Sequence, residues 1–136
     1  DQGYKGVLNA LGEFEQNPNF KIHKNIDAVD FWGLQSGAKV FVGNSSSGLI
    51  ETPYFNLPTV NIGRRQDGRV RDNNVIDAPP DEDKIFDAIQ KAVSADFREQ
   101  IKNSFIFGDG HAGEKIVKIL KDLEISQKHL KKDITF

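Results

Sequence analysis

Apolar positions along the chain alternate between two periods. Tyr4, Val7, Leu8, Leu11 and Phe14 recur three or four apart, which predicts a helix, and Gly12 and Pro18 mark the way out of it. Phe20-Lys21-Ile22 then reads as a short strand. Asp27 is suited to cap a helix carrying Val29, Phe31, Trp32 and Leu34, which Ser36-Gly37 would end. A buried strand, Lys39 to Val42, runs into a turn of small residues, Gly43-Asn44-Ser45-Ser46-Ser47-Gly48. An apolar helix start from Leu49 to Phe55 follows, kept short or bent by Pro53. Asn56 and Pro58 lead to the strand Thr59-Val60-Asn61-Ile62. After a polar, arginine-rich loop, Asn74 to Asp77 is the last predicted strand. Asp81, Glu82 and Asp83 open a helix with Ile85, Phe86, Ile89, Ala92 and Val93 inward, acids at its start being favoured by the helix dipole. Further helices are expected over Asp96 to Asn103 and Ala112 to Leu123. The pattern implies one domain over residues 1–123 and a polar tail over 124–136.

Short strands alternating with helices imply βαβ units and a parallel sheet covered on both faces. The expected fold class is therefore α/β, a Rossmann-like doubly wound sheet. In such folds ligands bind at the carboxyl ends of strands, where loops lead into helices. The two most unusual stretches of the sequence fall at such ends.

Composition narrows the classes of function. A chain of 136 residues suits one compact domain. Its 18 basic and 20 acidic residues leave a net charge of −2, without the basic excess of a nucleic-acid-binding protein. No apolar run approaches the roughly 18–20 residues that span a bilayer, so no membrane partner is expected. The absence of cysteine removes disulfide scaffolds, thiolate metal sites and cysteine nucleophiles. Methionine is absent even at position 1, which suggests a start inside a longer protein or after processing. No basic-then-apolar leader precedes the first helix, and a cytoplasmic setting is the expectation.

The turn Gly43 to Gly48 has the small residues that let a backbone approach a ligand closely, and serine hydroxyls able to hold a phosphate. It lacks the lysine of a Walker A loop, so it does not imply Mg-nucleotide hydrolysis. The bland alternative is an ordinary turn capped by Ser46 or Ser47. The second stretch runs from Gly63 to Arg71. Four of the chain's five arginines, Arg64, Arg65, Arg69 and Arg71, share this one loop of a net acidic protein. Their mutual repulsion calls for anions or carboxylates, and the guanidinium fork suits phosphate oxygens. Pairing with Asp67 or Asp72 is the plainer explanation. Two anion-suited loops at successive strand ends make a diphosphate the natural common ligand. Glu51, one turn past the serines, could accept both hydroxyls of a ribose or merely compensate a helix terminus. His23, His111 and His129 show no metal-ligand spacing, and no metal is expected. Asp109 reads as the cap of the last helix. Nothing assembles a general acid and base facing a common point, so binding is better supported than catalysis.

In order and spacing, Val42 to Gly48, Glu51-Thr52-Pro53, Pro58 to Gly63, Arg65-Gln66, Gly68-Arg69 and Gly108-Asp109-Gly110 resemble the carboxyl-terminal domain of the UDP-N-acetylglucosamine 2-epimerases. The serine turn and the Asn61-to-Arg69 stretch resemble the hydrolysing, sialic-acid-pathway branch. This resemblance implies the second half of a glycosyltransferase-B type fold, with the active site in a cleft between two Rossmann-like halves. It implies that Ser45 and Ser46 bind the diphosphate of UDP, Glu51 the ribose, Arg65 the phosphates, and the backbone of Ile26 the uracil. Ser47, Arg64 and Arg69 are further candidate phosphate contacts. The family's acid and base groups would lie mainly in an amino-terminal half absent from this chain, leaving no catalytic residue here. The implied reaction converts UDP-N-acetylglucosamine to N-acetylmannosamine and UDP, by elimination and then addition of water. No cofactor is implied, enzymes of this kind are commonly oligomers, so that a homo-oligomer is one form open to the whole enzyme, and this stretch alone would be inactive. A non-hydrolysing epimerase, a glycosyltransferase donor domain and a non-catalytic nucleotide-sugar module are the alternatives. Two positions depart from the family pattern: Asp27 stands where proline is common, and Ser104 to Phe107 replaces an Asn-Pro-Tyr approach to the Gly-Asp-Gly.

Overall fold

The computed structural model describes residues 4–102 and 104–126. The chain divides into two compact units, Asp1–Ala38 and Lys39–Phe136. The last ten residues of the expected tail, 127–136, lie outside the described residues, and so does His129.

The first unit contains two helices, α1 (Tyr4–Glu13) and α2 (Ala28–Gly37). In α1 no residue is buried, and Tyr4, Val7 and Leu8 stand exposed. Asp27 caps α2 as its sequence implies, the carboxylate accepting from the Val29 N–H at 2.9 Å. The strand expected at Phe20-Lys21-Ile22 does not form. Its first amide instead donates to the Asn17 carbonyl at 2.9 Å, closing a turn. The Phe20 ring packs on Phe14 with centroids 4.6 Å apart. A strand exists only beside a partner, and none pairs with this stretch among the described residues.

The second unit is built on three parallel strands in the order β1-β2-β3: β1 (Phe41–Gly43), β2 (Thr59–Ile62) and β3 (Val75–Ala78). Phe41 is in register with Thr59, and Thr59 with Val75. Side chains alternate between the faces of a strand, and paired residues share a face. Val60, Ile62, Ile76 and Ala78 therefore lie on one side, where α4 (Glu82–Val93) packs through Ile85, Ala88, Ile89 and Ala92. Phe41, Thr59 and Asn61 occupy the other side, beneath α3 (Ser47–Ile50). β2 is thus buried on both faces, and complete burial of Val60 contributes roughly 1.5–3 kcal/mol. This three-layer arrangement is the α/β, Rossmann-like fold.

Asp81 caps α4 by accepting from the Lys84 N–H at 3.0 Å. Phe86, expected inward, is 60 % exposed, because the narrow inward stripe of α4 is already filled by small and β-branched residues. The helix expected from Leu49 to Phe55 is two pieces: α3 stops at Ile50, and a 3-10 turn covers Thr52–Phe55 with Pro53 in its first turn. Short α5 (Ala95–Gln100) starts at Ser94, whose hydroxyl accepts from the Phe97 N–H. The last helix among the described residues is α6 (Ala112–Lys121), with no buried residue.

Candidate functional site

The serine turn connects β1 to α3 at the carboxyl end of the sheet. Ser45 Oγ accepts from the Ser47 N–H at 3.3 Å, and the Gly48 N–H donates back to the Ser45 carbonyl at 3.2 Å. Ser46 occupies the cap position of α3, yet its side chain makes no capping bond. Its hydroxyl is not used in holding the turn, nor is that of Ser47, while all three serines are half-buried. With only four residues in α3, little helix dipole reaches the turn, so hydroxyls and individual amides dominate its polarity.

Close packing fixes the piece behind the turn. A Cβ on Gly48 would sit 2.9 Å from both Phe41 Cε1 and Thr59 Cγ2, so only glycine lets α3 rest on the sheet at this height. Beneath it, Thr52 Oγ1 donates to the Gly48 carbonyl at 2.7 Å and accepts from Thr59 Oγ1 and from Asn74 Nδ2, each at 2.9 Å. Asn74 also donates to the Leu57 carbonyl at 2.7 Å. This buried network ties the 3-10 turn to β2 and to the approach to β3.

The arginine loop reaches the serine turn at one atom. The Asn44 carbonyl accepts from Arg65 Nη1 at 3.2 Å and from Gln66 Nε2 at 2.7 Å. The arginine loop and the serine turn are thus held together by side-chain hydrogen bonds to one backbone carbonyl. The loop's shape depends on Gly63 and Gly68, whose φ angles of +73° and +79° suit glycine, and neither position is crowded.

The four arginines of the loop have different surroundings. Arg65 lies against the serine turn. Arg64 pairs with Asp67 at 2.9 Å, its side chain 93 % exposed. Arg71 forms an ion pair with Asp77, its Nε 2.7 Å from the carboxylate, and donates from Nη1 to the Arg69 carbonyl at 2.7 Å. Asp77 in turn accepts from Asn61 Nδ2 at 2.6 Å. Arg71 therefore braces the returning limb of the loop. Arg69 makes no ion pair among the described residues, and it edges an apolar cleft of about 340 Å³ with Leu49, Ile50, Val70 and Phe107.

Glu51 stands half-buried at the junction of α3 and the 3-10 turn, and its side chain caps neither. In the first unit, half-buried Ile26 lines a cleft of about 690 Å³ together with Asn25, Asp27, Val29 and Leu34. Asp109 does not cap α6, since His111 holds that position. Its carboxylate instead accepts from the His111 N–H at 3.1 Å and pairs with Lys115 at 2.8 Å, and these contacts hold it below the usual carboxylate range. The turn before it is fastened by Tyr54, whose hydroxyl donates to the Gly108 carbonyl at 2.7 Å. Among the described residues, no group of three His, Asp or Glu side chains is placed to hold a metal ion. No helix there is long and apolar enough to cross a membrane.

Sequence reading gave no role to Gln66, named only within a motif, nor to the network of Thr52, Thr59 and Asn74. Gln66 carried a signal, as an uncharged long side chain amid arginines between two glycines. The network carried none, because its members are far apart in sequence.

The sequence model of the UDP-N-acetylglucosamine 2-epimerase family matches residues 1–121, and the chain belongs to that family. A UDP-N,N'-diacetylbacillosamine 2-epimerase (hydrolyzing) of Legionella pneumophila is 33 % identical over 132 residues, which cover 97 % of this chain and 34 % of the relative. The polysialic acid biosynthesis protein P7 of Escherichia coli is 33 % identical over 104 residues, 76 % of this chain and 27 % of that protein. A UDP-N-acetylglucosamine 2-epimerase of Neisseria meningitidis is 35 % identical over 94 residues, 69 % of this chain and 25 % of that protein. The chain thus spans about a third or less of the length of these curated relatives.

Proposed function

We propose that this chain is the nucleotide-sugar-binding part of a hydrolysing UDP-N-acetylglucosamine 2-epimerase. The observation that carries the reading is the meeting of the serine turn and the arginine loop at the Asn44 carbonyl. With one N–H of Arg65 on that carbonyl, the guanidinium keeps four further N–H groups, enough for a phosphate at the same edge. Ser45 and Ser46 supply hydroxyls from the facing side, with Ser47, Arg64 and Arg69 as outer contacts. Glu51 takes the ribose hydroxyls.

In the proposed reaction a base removes the proton on C2 of the sugar while the bond from C1 to the diphosphate oxygen breaks. UDP departs with the electron pair and a glycal remains. Water then adds across the double bond, releasing the free 2-epimer. The residues of this chain act on the departing group. Negative charge grows on the diphosphate as the bond to C1 breaks, and pre-set donors at Ser45, Ser46 and Arg65 stabilise it. Proton transfer falls to groups outside this chain, so the chain alone turns over no substrate. The name of the Legionella relative supports a UDP-linked N-acetylated sugar and the hydrolysing outcome, and that of the Escherichia relative supports a place in polysialic acid biosynthesis.

Calorimetric titration of UDP into wild type and Arg65→Ala tests the reading. Wild type should bind, and loss of a charge-assisted contact should weaken binding about tenfold or more. Equal heats for the two proteins would remove Arg65 from the site.

A further inference from the structure

Gln66 differs from every other polar residue of the arginine loop. It is only 2 % exposed, in a segment whose neighbours Arg65 and Asp67 face solvent. Its Nε2 makes the shorter of the two bonds to the Asn44 carbonyl, 2.7 Å against 3.2 Å from Arg65. Its Oε1 is buried and has no partner among the described residues. The amide orientation is nonetheless determined, because turning it over would set an oxygen against the Asn44 oxygen. The loop thus leaves one buried acceptor unpaired and places the donor on the serine turn.

The peptide following that carbonyl is trans, so its C=O and N–H point in opposite directions. A carbonyl drawn toward Gln66 turns the Ser45 N–H the other way, off the arginine loop. The Gln66 carbonyl also accepts from the Arg69 N–H at 3.2 Å, so side chain and backbone of one residue link the serine turn to the loop's closing bend.

We infer that Gln66 is a positioning residue: its buried amide fixes the Asn44–Ser45 peptide and thereby the direction of the serine-turn donors. Arg65 shares the carbonyl but is exposed, and serves as the exchangeable cation. The inference rests on the reading of the turn as a diphosphate cradle, yet its first test needs no ligand.

The variant is Gln66→Met, which keeps length and volume and removes the donor. Amide hydrogen exchange in the free chain is compared at Gly48 and Leu49, which bond back to Ser45 and Ser46, and at Ala88 and Ala92 in α4 as reference. Loss of one buried hydrogen bond should raise exchange in the turn about fivefold, with α4 unchanged. Arg65→Ala should leave the turn's exchange near the wild-type rate. Unchanged exchange at Gly48 and Leu49, or equal acceleration in the turn and in α4, would overturn the inference. UDP and uridine are then titrated into both proteins. UDP should bind Gln66→Met about fivefold more weakly, with uridine affinity unchanged. Equal weakening of the two ligands, or of neither, would also overturn it. Failure of wild type to bind UDP would instead defeat the nucleotide reading and leave the exchange result to decide the role of Gln66.

Discussion

Asn74 Nδ2 donates to Thr52 Oγ1 across 2.9 Å, joining the 3-10 turn behind the serine loop to the residue that precedes β3. Both side chains are fully buried. The same hydroxyl serves Thr59 and the Gly48 carbonyl, so three groups depend on it. Thr52→Val keeps the shape and removes the hydroxyl. Stability in urea unfolding should fall by about 2–3 kcal/mol, since buried polar groups left unpaired retain their desolvation cost. A loss below half a kcal/mol would show that the network is not holding the turn.

Gly48→Ala tests the close approach of α3 to the sheet. The added methyl meets Phe41 and Thr59 at 2.9 Å, both side chains of the packed layer. Overpacking of this kind costs about 1–3 kcal/mol. The relaxation available is outward movement of α3, which carries Ser46 and Ser47 with it. UDP affinity should therefore fall together with the melting temperature.

The loop's arginines should separate by role. Arg71→Ala removes the brace to Asp77 and to the Arg69 carbonyl from a side chain 26 % exposed, and should cost about 1 kcal/mol or more in urea unfolding. Arg64→Ala removes an exposed i,i+3 pair and should leave stability within about 0.5 kcal/mol. The reverse ranking would contradict the assignment of Arg71 as a brace.

Acid should loosen the start of α6. Lys115 first, then the His111 amide, hold the Asp109 carboxyl below its ordinary value. A depressed folded-state pKa means that the ionised form stabilises the fold. That contribution is complete above the ordinary aspartate value of about 3.9 and is lost as pH falls through the lower folded value. Amide chemical shifts of His111 and Lys115 should move together below about pH 4 in wild type. In Asp109→Asn no such transition should occur at these two amides.

Much of the fold was legible because its signals are local. Asp27 and Asp81 cap the helices that their positions imply, and the alternation in Thr59 to Ile62 gives a strand buried on both sides. Pro53 correctly marks a short helix, since its ring and missing N–H favour the first turn of a new segment. Phe20-Lys21-Ile22 misled because three alternating residues define a strand only when a neighbour supplies the ladder. Asp109 misled because its carboxylate, two residues before the cap position, takes the His111 amide and the Lys115 ammonium rather than the amides of the first helical turn. At the site, hydroxyls and guanidinium groups were readable as chemistry. Arg65 was singled out only through the family resemblance, because Arg64, Arg65, Arg69 and Arg71 are alike in type and it is the loop's path that brings Arg65 to the Asn44 carbonyl. Asn44 was legible as a small residue, but its carbonyl as the meeting point depends on contacts 21 and 22 residues away.

The most direct measurement is a crystal structure of the chain with UDP bound. The account expects one diphosphate within hydrogen-bonding reach of both Ser45 or Ser46 and the Arg65 guanidinium, with Gln66 still on the Asn44 carbonyl. A diphosphate bound away from the serine turn, or held there while Arg65 points elsewhere, would contradict it.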